Sequence, residues 1–121
     1  METVAVIGAS PKEDRYSNKA VRLLAKHGHT PIPVAPKHDR IEGRKVYRTV
    51  RDIPDRLDTV TLYLGPQRQS DEIVEQIISA APKRVIFNPD TENKETAEKL
   101  RAAGIEVVEA CTLVLLRTNQ Y

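Results

Sequence analysis

A single cysteine, Cys111, and the absence of tryptophan set the first limits on this chain of 121 residues. One cysteine cannot form an internal disulfide, and it predicts a reducing, cytoplasmic setting. Rings are scarce as well: four Tyr and one Phe offer little on which nucleic-acid bases could stack. No charge of one sign dominates. Nineteen Lys and Arg stand against 17 Asp and Glu, a net charge of +2, and the two signs are interspersed. This balance argues against nucleic acid as a partner. No apolar run approaches the length of a membrane span, so no membrane association is expected. Met1-Glu2-Thr3 runs straight into an apolar segment, which predicts no leader peptide. Of the three histidines, His27 and His29 flank Gly28, and no further His or Cys lies at a spacing that would complete a metal site. They read as a surface turn.

What is present is an ordinary globular composition, 40% hydrophobic, long enough for a single core. One domain over residues 1–121 is expected. Its organising stretch is Thr3-Val4-Ala5-Val6-Ile7 followed by Gly8-Ala9-Ser10. A continuous β-branched run bounded by glycine predicts a strand buried on both faces, inside a parallel sheet. Gly8, lacking a Cβ, would let a ligand or phosphate come close where the strand turns into a loop. A helix begins near residue 17, with Ser17 as its cap. Strand, small-residue loop and helix N-terminus together suggest the start of a nucleotide-binding βαβ unit. Ser10 stands where the second glycine of G-x-G-x-x-G would be, so an ordinary buried strand with a tight turn is the alternative.

The rhythm continues down the chain. Ala20, Val21, Leu24 and Ala25 mark a helix face that stops at Gly28. Residues 30–35 read as a second strand, bonded on one side or interrupted because of Pro31 and Pro33. Residues 41–47 hold a turn and a very short edge strand, and residues 52–54 one helical turn. A strand over 59–64, a helix over 67–81, a strand over 84–88, a helix over 92–103 and a strand over 105–108 follow. Residues 110–116 are apolar throughout and are read as a buried helical turn. Strands alternating with helices predict a parallel sheet with right-handed crossovers. The expected fold class is α/β: a Rossmann-like, doubly wound, three-layer domain with the first strand inside the sheet.

Ligands of open parallel sheets bind outside the carboxyl ends of the strands. That rule selects Gly8, Ala9 and Ser10, then Ala35, Pro36 and Lys37, then Gly65, Pro66 and Gln67, and finally Asn88 and Pro89. The second strand end discriminates among ligands. An NAD site usually has an acidic residue there, but this chain has no acid until Asp39. Lys37 in its place favours an extra ribose phosphate, as in NADP or coenzyme A, against the alternative of a solvated surface lysine.

At this point the chain resembles the small, stand-alone CoA-binding domain proteins, which are similar to the CoA-binding domain of the succinyl-CoA synthetase α subunit. The likeness rests on Val6-Ile7-Gly8-Ala9-Ser10, Tyr16-Ser17, Gly28-His29-Thr30, Ile32-Pro33-Val34 and Pro36-Lys37. It continues through Ile41-Glu42-Gly43, Asp58 to Tyr63, Arg84 to Pro89 and Glu109 to Val114. The resemblance implies binding of CoA or an acyl-CoA through its 3′-phospho-ADP moiety. Gly8, Ala9 and Ser10 would approach the pyrophosphate, with Tyr16 and Ser17 beside them. Lys37 would approach the ribose phosphate, while Pro66 and Gln67 would flank the adenine side. Two positions depart from the family pattern: Gly65, where many relatives carry arginine, and Asp90, where close relatives often carry glycine. A carboxylate near a polyanion is unfavourable unless it faces away.

No catalysis is expected. Cys111 inside an apolar run reads as packing, His38 as an exposed loop residue, and no spacing pairs either with a base. Ligases similar in their nucleotide domain keep their catalytic histidine in another domain. A monomer or homodimer is expected. The alternative function is a small NAD(P)-binding oxidoreductase or redox-sensing module.

Overall fold

Apolar segments separated by helix-length connections can pair in parallel, since each crossover has room to return over the sheet. The computed structural model describes residues 1–121. It begins with β1 (Thr3–Ile7), α1 (Tyr16–Lys26), β2 (Thr30–Val34) and a small hairpin of β3 (Arg40–Ile41) and β4 (Arg44–Lys45). There follow β5 (Thr59–Leu62), α2 (Asp71–Ala80), β6 (Arg84–Phe87), α3 (Lys94–Ala102), β7 (Glu106–Glu109) and α4 (Thr112–Arg117). Five strands form one parallel sheet in the order β2-β1-β5-β6-β7. β1 lies inside it, with β2 on one side and β5 on the other.

Residue alternation along β1 divides the core into two layers. Val4 and Val6 cluster with Val21 and Leu24 of α1 and Leu116 of α4. Ala5 and Ile7 cluster with Val74 and Ile77 of α2 and Ala97 and Leu100 of α3. Helices therefore cover both faces, the three-layer α/β arrangement expected from the strand-helix rhythm.

The proline-containing β2 is resolved by its hydrogen-bond parity. Thr30 N–H donates to the Glu2 carbonyl at 2.8 Å, and Gly8 N–H to that of Val34 at 3.2 Å. Residues 30, 32 and 34 thus face β1, and the missing N–H groups of Pro31 and Pro33 fall on the outer edge. On that edge Tyr47 forms a parallel bridge with Val34. Tyr47 N–H donates to Pro33 O at 3.1 Å, and Ala35 N–H to Tyr47 O at 3.0 Å. Counting this one-residue strand, the order is Tyr47-β2-β1-β5-β6-β7, the 3-2-1-4-5-6 arrangement of doubly wound dinucleotide-binding sheets.

Several helix boundaries differ from the sequence reading. Ser17 is not the cap of α1: the helix starts at Tyr16 after an extended Arg15, and Ser17 is buried within its first turn. The turn closed by Arg15 N–H on Lys12 O starts the helix early. The segment expected as one helix over 67–81 divides into a 3-10 turn, Pro66–Arg68, and α2. Ser70 Oγ accepts from Ile73 N–H at 3.2 Å, and this cap fixes the later start. Asn93 does the same for α3, its Oδ1 accepting from Thr96 N–H at 3.2 Å. The turn expected at 52–54 lies at Val50–Asp52, closed by Thr49 Oγ1 donating to Asp52 Oδ2 at 3.0 Å. The apolar tail is helical, as α4, and buries Leu113 and Leu116. No helix is long and apolar enough to cross a membrane.

At the amino end of the sheet, His29 Nδ1 accepts from Glu2 N–H at 3.0 Å. Its ring lies 4.9 Å from that of Tyr121. Burial lowers the His29 pKa below its ordinary value, against the opposing pull of Glu2. The folded state therefore disfavours the proton that the unfolded chain accepts near pH 6.5. Stability should be complete above that pH and fall as pH drops through 6.5 toward the lower folded value. Urea midpoints at pH 7.5 and 5.5 check this. The drop between them should shrink in His29→Gln, and an equal drop in both proteins would clear His29 of the effect.

Candidate functional site

The carboxyl ends of β1, β2, β5 and β6 open into a crevice, as a switch between helices on opposite faces requires. Gly8 sits at its centre with φ +88°. A Cβ there would lie 2.9 Å from Tyr63 O and 3.2 Å from Leu64 Cδ2. The close approach that demands glycine is thus made by the chain leaving β5. This corrects the expectation that the missing side chain clears space for a phosphate. Gly8 N–H and Ala9 N–H both donate to Val34 O at 3.2 Å, and Ser10 Oγ accepts from Lys12 N–H at 3.2 Å. The loop is therefore shaped by the chain itself.

Two adjoining hollows make up the crevice, sharing Gly8, Ser10, Arg15 and Arg68. The first, about 380 Å³, runs along the β2 side. Ala9, Ala35 and Pro36 line it, with Val34, Val50, Leu64 and Ile73 as an apolar wall. Its charged side chains are Arg15, Arg48 and Arg68, and it has no carboxylate. None of these arginines enters an ion pair. Arg48 Nη1 donates to Pro36 O at 3.2 Å, which seats the guanidinium at the end of β2. Arg48 is thus the cation that lines this hollow at the end of β2. Lys37 itself is exposed and lines neither hollow. Tyr47, bonded to the β2 edge, delivers Arg48 to the mouth, a tertiary pairing that adjacency in sequence does not reveal.

The second hollow, about 450 Å³, lies on the β6 side and is lined by Tyr16, Ser17, Gly65, Pro66, Gln67 and Pro89. Gln67 and Pro66 therefore flank this hollow, not the one along β2. Tyr63, Asp90 and Thr91 complete its wall. Burial pushes the Tyr63 phenol up to about 12, so it stays neutral. Asp90 adopts φ +73°, a left-handed conformation that suits glycine and that aspartate tolerates better than most residues. At Gly65 an added Cβ would meet the Gln67 side chain, Oε1 at 3.1 Å.

Asn88 corrects another expectation. It is only 2% exposed and lines neither hollow. Its Nδ2 donates to Thr61 Oγ1 at 2.7 Å and Leu62 O at 3.0 Å, while Oδ1 accepts from Thr112 N–H at 2.9 Å. A buried amide with these partners ties β5 and β6 to the start of α4. Cys111, which precedes α4, also lies outside both hollows.

Sequence reasoning missed Arg15, Arg48, Arg68 and Asn18. Asn18 is fully buried; its Nδ2 donates to Ser10 O at 3.0 Å and to Glu42 Oε2 at 3.1 Å. It staples the β1 loop and the β3-β4 hairpin to α1. The one available signal was a polar residue on an otherwise apolar helix face. At the start of α1 the N–H groups of Tyr16, Ser17 and Asn18 have no acceptor in the chain, as the first turn of a helix leaves them.

A doubly wound parallel sheet with an arginine-lined crevice at its carboxyl edge defines a Rossmann-like α/β domain. Residues 2–117 match the model of a family described as CoA binding domain, and the chain belongs to that family. It is 28% identical over 128 residues to acetate–CoA ligase (ADP-forming) I of Archaeoglobus fulgidus, across 98% of this chain and 18% of the ligase. The chain thus spans less than a fifth of the length of the curated relatives it matches. A crystal structure of an uncharacterized protein superposes with a TM-score of 0.93 at 43% identity, covering 100% of this chain and 98% of that one. A hypothetical protein from Pyrococcus horikoshii OT3 gives 0.90 at 37% identity, over 95% of this chain and 81% of its own.

Proposed function

We propose that residues 1–121 act as one domain that binds coenzyme A or an acyl-CoA through its 3′-phospho-ADP moiety, without catalysis of its own. The observation that carries this reading is the hollow at the end of β2, with three arginines and no carboxylate. An NAD site holds its ribose hydroxyls with an acid at that place. Guanidinium groups instead fit phosphate oxygens in two-point hydrogen bonds. Arg15 and Arg68, shared between the hollows, suit the pyrophosphate, aided by the free N–H groups of α1. Arg48 suits the ribose phosphate, and the wall of Val34, Val50 and Ile73 suits the adenine ring. Family membership supports the same ligand. His38, Lys37 and Cys111 lie outside both hollows. Ser17, Asp90 and Thr91 line the second, but Thr91 Oγ1 donates to Asn88 O at 2.8 Å, and no hydrogen bond orients Asp90 as a base on a hydroxyl, as nucleophilic catalysis requires.

The experiment is a thermal-shift series with CoA, 3′-dephospho-CoA and NAD. A ligand at about one hundred times its Kd adds roughly 2.7 kcal/mol, several degrees for a domain of this size. CoA should give the largest shift and 3′-dephospho-CoA a smaller one. Stabilisation by NAD without stabilisation by CoA would replace this reading with an NAD(P)-linked oxidoreductase or sensor. Incubation with acetyl-CoA should release free thiol no faster than buffer does.

A further inference from the structure

We infer that the groove between α1 and α4 is a docking surface for an acidic amphipathic helix of a partner protein. The two helices lie side by side, with Leu116 of α4 clustered with Val21 and Leu24 of α1. Both start at the carboxyl edge of the sheet and run toward its amino edge, where Tyr121 meets His29. A hollow of about 340 Å³ lies between them, lined by Lys19, Arg22, Leu23, Lys26 and Arg117. Four of these five residues are cations and none is acidic. None of them lines the carboxyl-edge crevice.

Elsewhere in the fold, exposed cations stand beside carboxylates: Lys83 with Asp58, and Lys99 with Asp71 and Glu95. α1 and α4 hold no acidic residue, and Lys19, Arg22, Lys26 and Arg117 form no ion pair. Lys19 with Arg22, and Arg22 with Lys26, place like charges three and four residues apart, which works against the helix by itself. An acidic partner relieves that repulsion. Arg22 is already positioned for one: Nε donates to Asn18 Oδ1 at 2.8 Å and Nη2 to Glu13 O at 2.7 Å, while Nη1 makes no hydrogen bond within the chain. Apolar surface adjoins the cations. Besides Met1, the exposed large hydrophobic side chains are Tyr16, 69%, and Val114, 52%, one on each of these helices. Lys19 Nζ lies 5.4 Å from the centre of the Tyr16 ring, and Val114 shares a face of α4 with Arg117. A compact anion would use the charge and leave this apolar surface bare. A helix brings carboxylates and leucine-sized side chains together along one stripe. Lys19 to Lys26 spans two helical turns, about 10 Å, so carboxylates recurring every three to four residues reach the whole row of cations.

The probe is a fluorescent, alanine-based helix of about twenty residues, with glutamates alternately four and three residues apart and leucines on the adjoining stripe. Anisotropy with the full chain should show saturable binding that weakens with added salt. The same peptide with glutamine for glutamate should bind at least about tenfold more weakly. Lys26→Glu combined with Arg117→Glu removes two attractions and adds two repulsions. This pair should weaken the glutamate peptide at least about tenfold and favour a peptide with lysine in place of glutamate. CoA affinity should stay within about twofold, since neither residue lines the crevice. No binding of the glutamate peptide would overturn the inference, as would equal binding of the glutamate and glutamine peptides, or equal binding by parent and variant. Tighter binding to phosphatidylserine vesicles or to a single-stranded oligonucleotide would overturn it in favour of a membrane or nucleic-acid partner. A loss of CoA affinity in the variant as large as the loss of peptide would assign these cations to the small ligand instead.

Discussion

Arg48→Ala should weaken CoA binding by about 1–3 kcal/mol, roughly 5- to 150-fold, and leave the affinity for 3′-dephospho-CoA nearly unchanged. Arg48 reaches the end of β2 through the pairing of Tyr47 with Val34. Its guanidinium is anchored there by Pro36 O at 3.2 Å. No carboxylate shares the hollow, so its charge is available to a ribose phosphate. The double comparison isolates the contact: residue and phosphate are each removed alone, then together. Lys37→Glu is the companion variant. Sequence adjacency gives Lys37 this role, whereas its position outside both hollows predicts a change of less than about threefold, from long-range charge alone. If Lys37→Glu shows the large loss and Arg48→Ala shows none, the roles of the two cations are the reverse of those assigned here. Neither change should move the urea midpoint, because both side chains are exposed and exposed charges contribute little to stability.

Gly8→Val should cost roughly 2–5 kcal/mol of folding stability, and Gly8→Ala somewhat less. Two costs add. A side chain at φ +88° meets the left-handed penalty of about 1–2 kcal/mol. Its Cβ also lies 2.9 Å from Tyr63 O and 3.0 Å from Tyr63 C. That contact is with the backbone of the neighbouring strand's exit, which is held by Tyr63 N–H donating to Ile7 O at 2.9 Å. Forcing it apart resembles overpacking a core, a further 1–3 kcal/mol. Chemical denaturation of the two variants beside the parent measures the sum. A Gly8→Ala midpoint indistinguishable from the parent would mean that the β1–β5 junction yields without strain. Loss of CoA binding in Gly8→Val is therefore a poor probe of the ligand, since the same change disturbs the frame. Arg15 and Arg68, whose side chains line the crevice and bond to no other residue of the chain, are better probes of the proposed pyrophosphate position.

Much of the frame was legible in the chain. The run Thr3–Ile7 is apolar on both sides, so it had to be an interior strand, and Val4, Ala5 and Val6 are fully buried. Helix-length spacing between strands required parallel pairing, and glycine and proline marked where loops at the carboxyl edge begin. That rule alone selects residues that line the two hollows: Gly8, Ala9 and Ser10, Ala35 and Pro36, Gly65, Pro66 and Gln67, and Pro89. Local signals decide these features, because burial and backbone freedom are properties of a residue and its immediate neighbours.

What only the tertiary structure decided are the pairings between distant segments. Which cation stands at the β2 end depends on Tyr47 bridging Val34 across a loop, and a one-residue strand has no periodicity to read. Asn88 looked like a loop residue beside a ligand; three hydrogen bonds to residues 24 to 27 positions away make it a buried tie instead. Gly8 looked like room for a phosphate, and the room is taken by Tyr63. In each case local chemistry named a polar or small residue correctly, and its partner was set by which strand lay next to it. Strand adjacency is a property of the whole sheet, formed when both helical layers pack, and no stretch of sequence carries it alone.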